Sequence, residues 1–237
     1  MANDRAADTP GGEPPASPSP LPPLTLEQSA ALAGRYRWVE HRLFELTGSW
    51  APSAPAPAAQ VLLDALSLQH AWHAELWADR LPVLDGVDHD RLTRSPAALA
   101  RLFEAMAEPD RLEPPAGEER WVARLAGLFR VVLPRLAVGY GRHLSMAVPA
   151  TDGPTIRALR LILRDELEAW QAGEALLEEL VTGPARAAAA AAAQHLLENL
   201  LVSGNSGPGL VPWPTSSDPA ADDRPGPVSE PSDGTIT

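Results

Sequence analysis

The clearest helical pattern in this chain is LRLILRDELEAWQAGEALLEEL, residues 159–180. Alternating spacings of four and three residues indicate a helix packed in a bundle, and its core-facing positions are Leu159, Leu163, Glu166, Trp170, Gly173, Leu177 and Leu180. Because an unpaired carboxylate is costly to bury, Glu166 in the middle of this face requires a cation, a metal or a hydrogen-bonding partner, unless the helix is rotated enough to expose it. Another face of the helix carries Arg157, Arg160 and Arg164, which predicts a solvated surface.

The rest of the central region has the same helical periodicity and no strand-like alternation. Thr25 and Gln28 form a capping-box pattern at the first helix, and Pro134 is expected to bend the third long helix. Two long helices, a long crossover and two more long helices predict an all-α four-helix bundle, followed by a fifth, C-terminal helix. The predicted helices, including a short one in the crossover, are residues 26–48, 58–81, 97–107, 118–147, 154–181 and 185–202.

The two ends of the chain differ from this region in composition. Residues 1–24 and 203–237 each contain seven of the 26 prolines and are rich in Gly, Ser and Asp, so both are predicted to be disordered tails. An apolar cluster at 210–213 either docks on the domain or, as is commoner for an isolated cluster, makes no stable contact. The predicted helical domain therefore covers residues 25–202.

Charge and composition exclude several classes of function. The 237 residues include 31 Asp and Glu against 19 Arg and no Lys, which gives a formal net charge of -12. This charge repels phosphate backbones and anionic lipids, so neither nucleic acid nor a membrane is an expected partner. The absence of cysteine excludes disulfides, thiolate metal sites and cysteine nucleophiles. With no signal-peptide or transmembrane pattern in view, we expect a cytoplasmic protein with a small-molecule ligand, able to form homo-oligomers through its helix faces.

Polar residues also occupy or adjoin core-facing positions on the other long helices. His70 and His73 are three residues apart, so both imidazoles lie on one face of the second helix. Glu40 lies beside the apolar face of the first helix, one turn from an aromatic residue on either side. His143 interrupts the apolar face of the third helix near its end, where a stabilising cation at the negative helix terminus is an alternative role.

These residues and their order along the chain resemble the ferritin-like superfamily. The likeness is carried by Glu40 in YRWVE, by His73 on the next helix, by the long crossover and by Glu166 in RDELEAW. The resemblance implies a bundle that holds a di-iron or di-manganese site. In that family one Glu comes from each of two helices and a Glu-x-x-His pair from each of the other two.

The ligand set departs from the family pattern. His70-x-x-His73 replaces Glu-x-x-His on the second helix, Ala169 stands where the fourth helix would carry a histidine, and the third helix offers Tyr140 and His143 but no glutamate. A carboxylate-bridged metal pair is therefore not expected, whereas two carboxylates and two or three imidazoles suit a single iron, manganese or zinc ion. The predicted metal ligands are Glu40, His70, His73, Glu166 and His143.

Two functional hypotheses remain open. In the first, the protein binds iron or manganese, with His143 or Tyr140 near an open position, and performs redox or oxygen-dependent chemistry on a small molecule, as a metal-dependent oxidoreductase or oxygenase. In the second, the bundle has no metal or other cofactor and serves as a scaffold or interaction protein, whose buried polar network specifies the register of its helices. Elemental analysis of the purified protein separates the two.

Overall fold

The computed structural model describes residues 23–83, 88–108, 117–204 and 207–214. Within these ranges the regular structure is entirely helical, which confirms the predicted all-α class. None of the helices in these ranges is long and apolar enough to cross a membrane.

The first two long helices, α1 (Leu26–Trp50) and α2 (Pro57–Ala78), pack against each other. At the start of α1 the Thr25 hydroxyl accepts a hydrogen bond from the Gln28 backbone N–H, and the Gln28 side chain accepts one from the Thr25 N–H, as predicted. One turn of 3-10 helix, Ala51–Ser53, follows α1. The chain then turns back, and a proline occupies the first position of α2, where a missing N–H costs nothing. Helix α2 ends before the predicted residue 81 because the next backbone N–H groups bond in tighter turns.

The crossover contains two short helices, α3 (His89–Leu92) and α4 (Ala97–Ala107). The bounds of α4 agree with the prediction, whereas α3 was not predicted. Helix α3 packs against α1 at Gly34, where a Cβ atom would lie 2.3 Å from the Leu92 carbonyl oxygen. Only glycine permits such a close approach of two backbones.

The third long helix is interrupted in its middle. It consists of α5 (Glu118–Gly127), a π-helical segment (Leu128–Val132) and α6 (Leu133–Met146). The segment ends where the Leu133 N–H bonds to the Leu128 carbonyl, one residue before Pro134. Pro134 was predicted to bend this helix; the structure has a π-bulge directly before it, which was not predicted and which accommodates the missing proline N–H.

The last two helices complete the core. Helix α7 (Gly153–Leu180) packs against α2 and α6, and α8 (Gly183–Ser203) packs against α4 and α5. Gly183, at the junction of α7 and α8, has a φ of +82°, a backbone conformation that favours glycine. Apolar side chains from these helices form one continuous hydrophobic core.

A short C-terminal segment, residues 207–214, packs on the helices and is called the C-terminal strap. The Leu210 N–H donates to the Arg135 carbonyl at 3.0 Å, and Arg35 Nη1 donates to the Pro212 carbonyl at 3.2 Å. Leu210 is fully buried and Val211 nearly so. The structure thus differs from the predicted disordered tail over these residues, because their apolar side chains and backbone groups find partners on α1 and α6. Of the other predicted tail residues, 1–22, 205–206 and 215–237 lie outside the described ranges, whereas residues 23–24 precede α1 and residues 203–204 form the end of α8.

Candidate metal centre

Four of the five predicted ligand residues come together in the core. Glu40, His70, His73 and Glu166 are each fully buried. One potential ligand atom from each of them lies within 4.8 Å of the others. Glu40 comes from the middle of α1, the two histidines from successive turns of α2, and Glu166 from the middle of α7. Three helices therefore converge on one polar group, which is called the Glu/His group.

The distances within the Glu/His group are short. His70 Nδ1 lies 2.7 Å from Glu40 Oε2, its hydrogen-bonding partner, and 3.4 Å from Glu166 Oε1. His73 Nδ1 lies 3.2 Å from Glu166 Oε1 and 3.7 Å from Glu40 Oε2. With metal–ligand bonds of about 2.1 Å, neighbouring ligand atoms are separated by about 3.0 Å in an octahedron and about 3.4 Å in a tetrahedron. These four nitrogen–oxygen separations bracket both values, and all the ligand atoms lie within 4.8 Å of one another.

Two further residues support the Glu/His group from outside. The Tyr140 hydroxyl, on α6, donates to Glu40 Oε1 and accepts from Trp77 Nε1 at 3.3 Å. On the other side, His73 Nε2 lies 3.3 Å from Asp165 Oδ2. A carboxylate that accepts from the second ring nitrogen of a histidine orients the imidazole and makes its free nitrogen a better ligand. Asp165 was not predicted, because it lies next to Glu166 and off the core-facing positions of α7.

The Glu/His group shifts the proton affinities of its own members. Burial alone raises the pKa of Glu40, but the charge of His73 and the hydrogen bond from His70 outweigh it and bring the pKa to about 2. Burial lowers the pKa of His73, yet the two nearby carboxylates outweigh it and raise the pKa to about 10. They raise the pKa of His70 in the same way, against the effect of its burial. These shifts favour protonated imidazoles opposite an ionised Glu40.

The two glutamates are not equivalent. The pKa of Glu166 is raised, because burial and the negative charge of Glu40 outweigh the two imidazoles. Glu40 accepts a hydrogen bond on each of its oxygens, from Tyr140 and from His70. Glu166 Oε2 and His70 Nε2, in contrast, are buried and have no hydrogen-bond partner among the described residues. Buried polar atoms of this kind normally have a partner, so each has free capacity to bind one.

The structure does not bring His143 into the Glu/His group. Its ring lies among aromatic side chains of α1, α2 and the C-terminal strap, with ring centroids at 5.8 Å from Tyr36, 6.4 Å from Trp77 and 5.9 Å from Trp213. Burial lowers the pKa of His143 to about 4, with only Asp152 opposing the shift. His143 therefore packs among aromatic rings outside the Glu/His group, and its lowered pKa disfavours the alternative of a cation at the helix terminus.

No protein-family model, no curated protein and no solved structure matches this chain. The assignment of a metal centre therefore depends on the geometry of the four side chains. The arrangement offers two carboxylates and two imidazoles that are fully buried from solvent. When the imidazoles are neutral and both glutamates ionised, the Glu/His group carries two negative charges. A divalent cation or two protons balances that charge, and a buried site requires one of the two.

Proposed function

We propose that this chain is a ferritin-like helical protein that binds a single iron or manganese ion through Glu40, His70, His73 and Glu166. The observation that carries the proposal is the convergence of four fully buried potential ligand atoms within 4.8 Å of one another. Mixed carboxylate and imidazole ligands suit these metals. The four surrounding long helices, with the ligands on three of them, support the ferritin-like assignment.

A bound redox-active ion would supply one-electron transfer or oxygen-dependent chemistry on a small molecule. The part played by the chain follows from its own residues. Glu40 and Glu166 balance the charge of a divalent ion, and Asp165 holds the His73 ring with Nδ1 towards the site. Tyr140 fixes Glu40 by donating to Oε1, which leaves Oε2 facing the imidazoles. The apolar surroundings exclude water from the ligands.

The departures from the family pattern favour one ion over two. Ala169 stands where α7 would carry the histidine of a Glu-x-x-His pair, and the part of α6 that faces the site contributes a phenol and no carboxylate. Among the described residues the Glu/His group has two carboxylates, which leaves no further carboxylate of the group to bridge a second metal.

Metal binding is tested on the full-length protein without a histidine tag. After treatment with chelator, the protein is titrated with Mn²⁺, or with Fe²⁺ without oxygen, and the bound metal is measured by elemental analysis. We expect about one ion per chain for wild type and for Glu168→Gln, an exposed control on the same helix. Glu166→Gln removes the negative charge of a ligand while it keeps nearly the same side-chain size, so we expect this variant to lose the metal.

A second candidate function is supported by the hydrogen bonds within the Glu/His group. Glu40 is fully paired with His70 and Tyr140, so the group can also serve as a metal-free network that fixes the register of α1, α2, α6 and α7 in a scaffold or interaction protein. In that case wild type and Glu166→Gln retain the same background of metal. Added Mn²⁺ then leaves the melting temperature unchanged, whereas a specific ion at a hundred times its Kd stabilises by about 2.7 kcal/mol.

A further inference from the structure

A surface groove of about 790 Å³ lies between α2 and α7, next to the Glu/His group. This volume is typical of sites for small organic molecules. Asp165 belongs both to the wall of the groove and to the Glu/His group, since its Oδ2 lies 3.3 Å from His73 Nε2. The other residues of the wall are Trp72, Pro149, Gly153, Ile156, Arg157, Arg160, Leu161 and Arg164.

The charge of the groove is opposite to that of the protein. Three arginines and one aspartate line it, although the whole chain has a net charge of -12. Arg164 is paired with Glu168 at 2.9 Å. Arg157 and Arg160 are exposed and form no ion pair within the described part of the chain. Two guanidinium groups, one turn apart on α7, are therefore available to an external anion, for which arginine is the preferred side chain.

The groove also has an apolar wall. The indole of Trp72 is 48% exposed and the side chain of Leu161 is 37% exposed, although both residues are large and apolar. An exposed tryptophan beside arginines offers a flat surface for a ring or hydrocarbon group. The groove thus combines a site for an anionic group with a surface for an apolar group.

We propose that this groove binds a small organic anion. Its oxyanion, a carboxylate or a phosphate, pairs with Arg157 and Arg160, and its apolar part packs on Trp72 and Leu161. The size of the groove favours a small molecule, and the strong negative charge of the chain disfavours a nucleic acid. Binding at the groove requires no metal in the Glu/His group, so this site stands independently of the proposed metal centre.

The test is calorimetric titration of the full-length, chelator-treated protein with four probes. Phenyl phosphate and benzoate carry both an oxyanion and a ring, benzyl alcohol carries the ring alone, and inorganic phosphate carries the oxyanion alone. We expect one or both aromatic anions to bind, and benzyl alcohol and inorganic phosphate to bind at least about tenfold more weakly. The comparison of phenyl phosphate with benzoate identifies the preferred oxyanion.

Variants locate the binding in the groove. The double variant Arg157→Gln/Arg160→Gln removes both free guanidinium groups, and we expect it to weaken binding of the preferred aromatic anion by about tenfold or more. The control is Arg94→Gln/Arg101→Gln, which has the same change in charge at two exposed positions outside the groove and keeps wild-type affinity. The proposal is overturned if neither aromatic anion binds, if either simple probe binds as tightly, or if the two double variants bind alike.

Discussion

Two layers of this helical core are held together by different forces. The polar layer is the Glu/His group, where α1, α2 and α7 meet and where Tyr140 of α6 closes the group. About two turns further along α7, in the apolar layer, Gly173 faces the ring of Phe129. The first layer depends on charge balance and the second on shape. Helix α7 therefore meets an electrostatic requirement at Glu166 and a steric requirement at Gly173.

Truncation of one side chain in each layer is expected to lower the free energy of unfolding more than any other change considered. Glu40→Ala leaves His70 and Tyr140 without their acceptor, and Phe129→Ala leaves a cavity. Each lowers the free energy of unfolding by about 3–5 kcal/mol, as measured by urea denaturation in the presence of chelator.

Conservative variants show whether the causes differ. Phe129→Leu recovers much of the loss, because it restores most of the buried volume. Glu40→Gln recovers little, because it restores shape but not charge. Wild-type stability in Glu40→Gln would mean that charge balance does not hold the polar layer together.

The buried imidazoles of His73 and His143 are expected to make the free energy of unfolding depend on pH in opposite directions. The raised pKa of His73, about 10, adds stability that is fully present below pH 6.5 and is lost as the pH rises to about 10. The lowered pKa of His143, about 4, removes stability as the pH falls from 6.5 to about 4. Each effect is expected to change the free energy of unfolding by about a few kcal/mol over its pH range.

Urea denaturation of the chelator-treated protein across this pH range measures both effects. His73→Gln is expected to flatten the alkaline decline in stability, and His143→Gln the acidic decline. An alkaline decline of the same size in His73→Gln and wild type would contradict the assigned role of His73.

A smaller difference in stability is expected between variants of Tyr36 and Tyr140, two buried tyrosines whose ring centroids are 4.7 Å apart. Tyr140 donates to the Glu40 carboxylate, whereas Tyr36 donates to the Gly139 carbonyl at 3.4 Å. Hydrogen bonds to charged groups are worth about 1.5–3 kcal/mol and those to neutral groups about 0.5–1.5 kcal/mol. Tyr140→Phe is therefore expected to cost more unfolding free energy than Tyr36→Phe. Equal losses would argue against an ionised Glu40.

The last comparison concerns the apolar layer alone and uses the stability of two glycine variants. An alanine Cβ at Gly173 would lie 2.0 Å from ring atoms of Phe129, so Gly173→Ala is expected to cost about 1–3 kcal/mol. At Gly141, in α6, the same position has no atom of the other described residues within 4 Å, apart from its chain neighbours and the backbone of its own helix. There the higher helix propensity of alanine is expected to stabilise by about 0.5–1 kcal/mol. Thermal unfolding of both variants checks the signs, and stabilisation by Gly173→Ala would show that Phe129 repacks freely.

The sequence was sufficient for most of the fold because its helix ends are marked locally. The capping box at Thr25 and the proline at the start of α2 fix two ends through backbone hydrogen bonding alone. The π-bulge before Pro134 was not predicted, since the sequence indicated only a bend at the proline and the form of the irregularity depends on the packing around α6. Docking of the C-terminal strap remained only one of two alternatives, because composition describes a tail without the surface on which it docks.

The candidate site was partly predictable for a related reason. Helical spacing gives the direction of a side chain, which pointed Glu40, His70, His73 and Glu166 inward. Spacing does not give the level at which two helices meet, and His143 faces inward at the level of Trp77 and Trp213 instead of the Glu/His group. The contact of Asp165 with His73 joins α7 to α2, so no pattern within one helix indicates it.

The most direct test of the metal centre is anomalous X-ray diffraction from crystals of the full-length protein loaded with Mn²⁺, recorded above and below the manganese absorption edge. We expect one anomalous peak per chain, within about 2.0–2.3 Å of ligand atoms from Glu40, His70, His73 and Glu166. Crystals without a peak among these four side chains, or with manganese only at exposed carboxylates, would contradict the proposed metal centre.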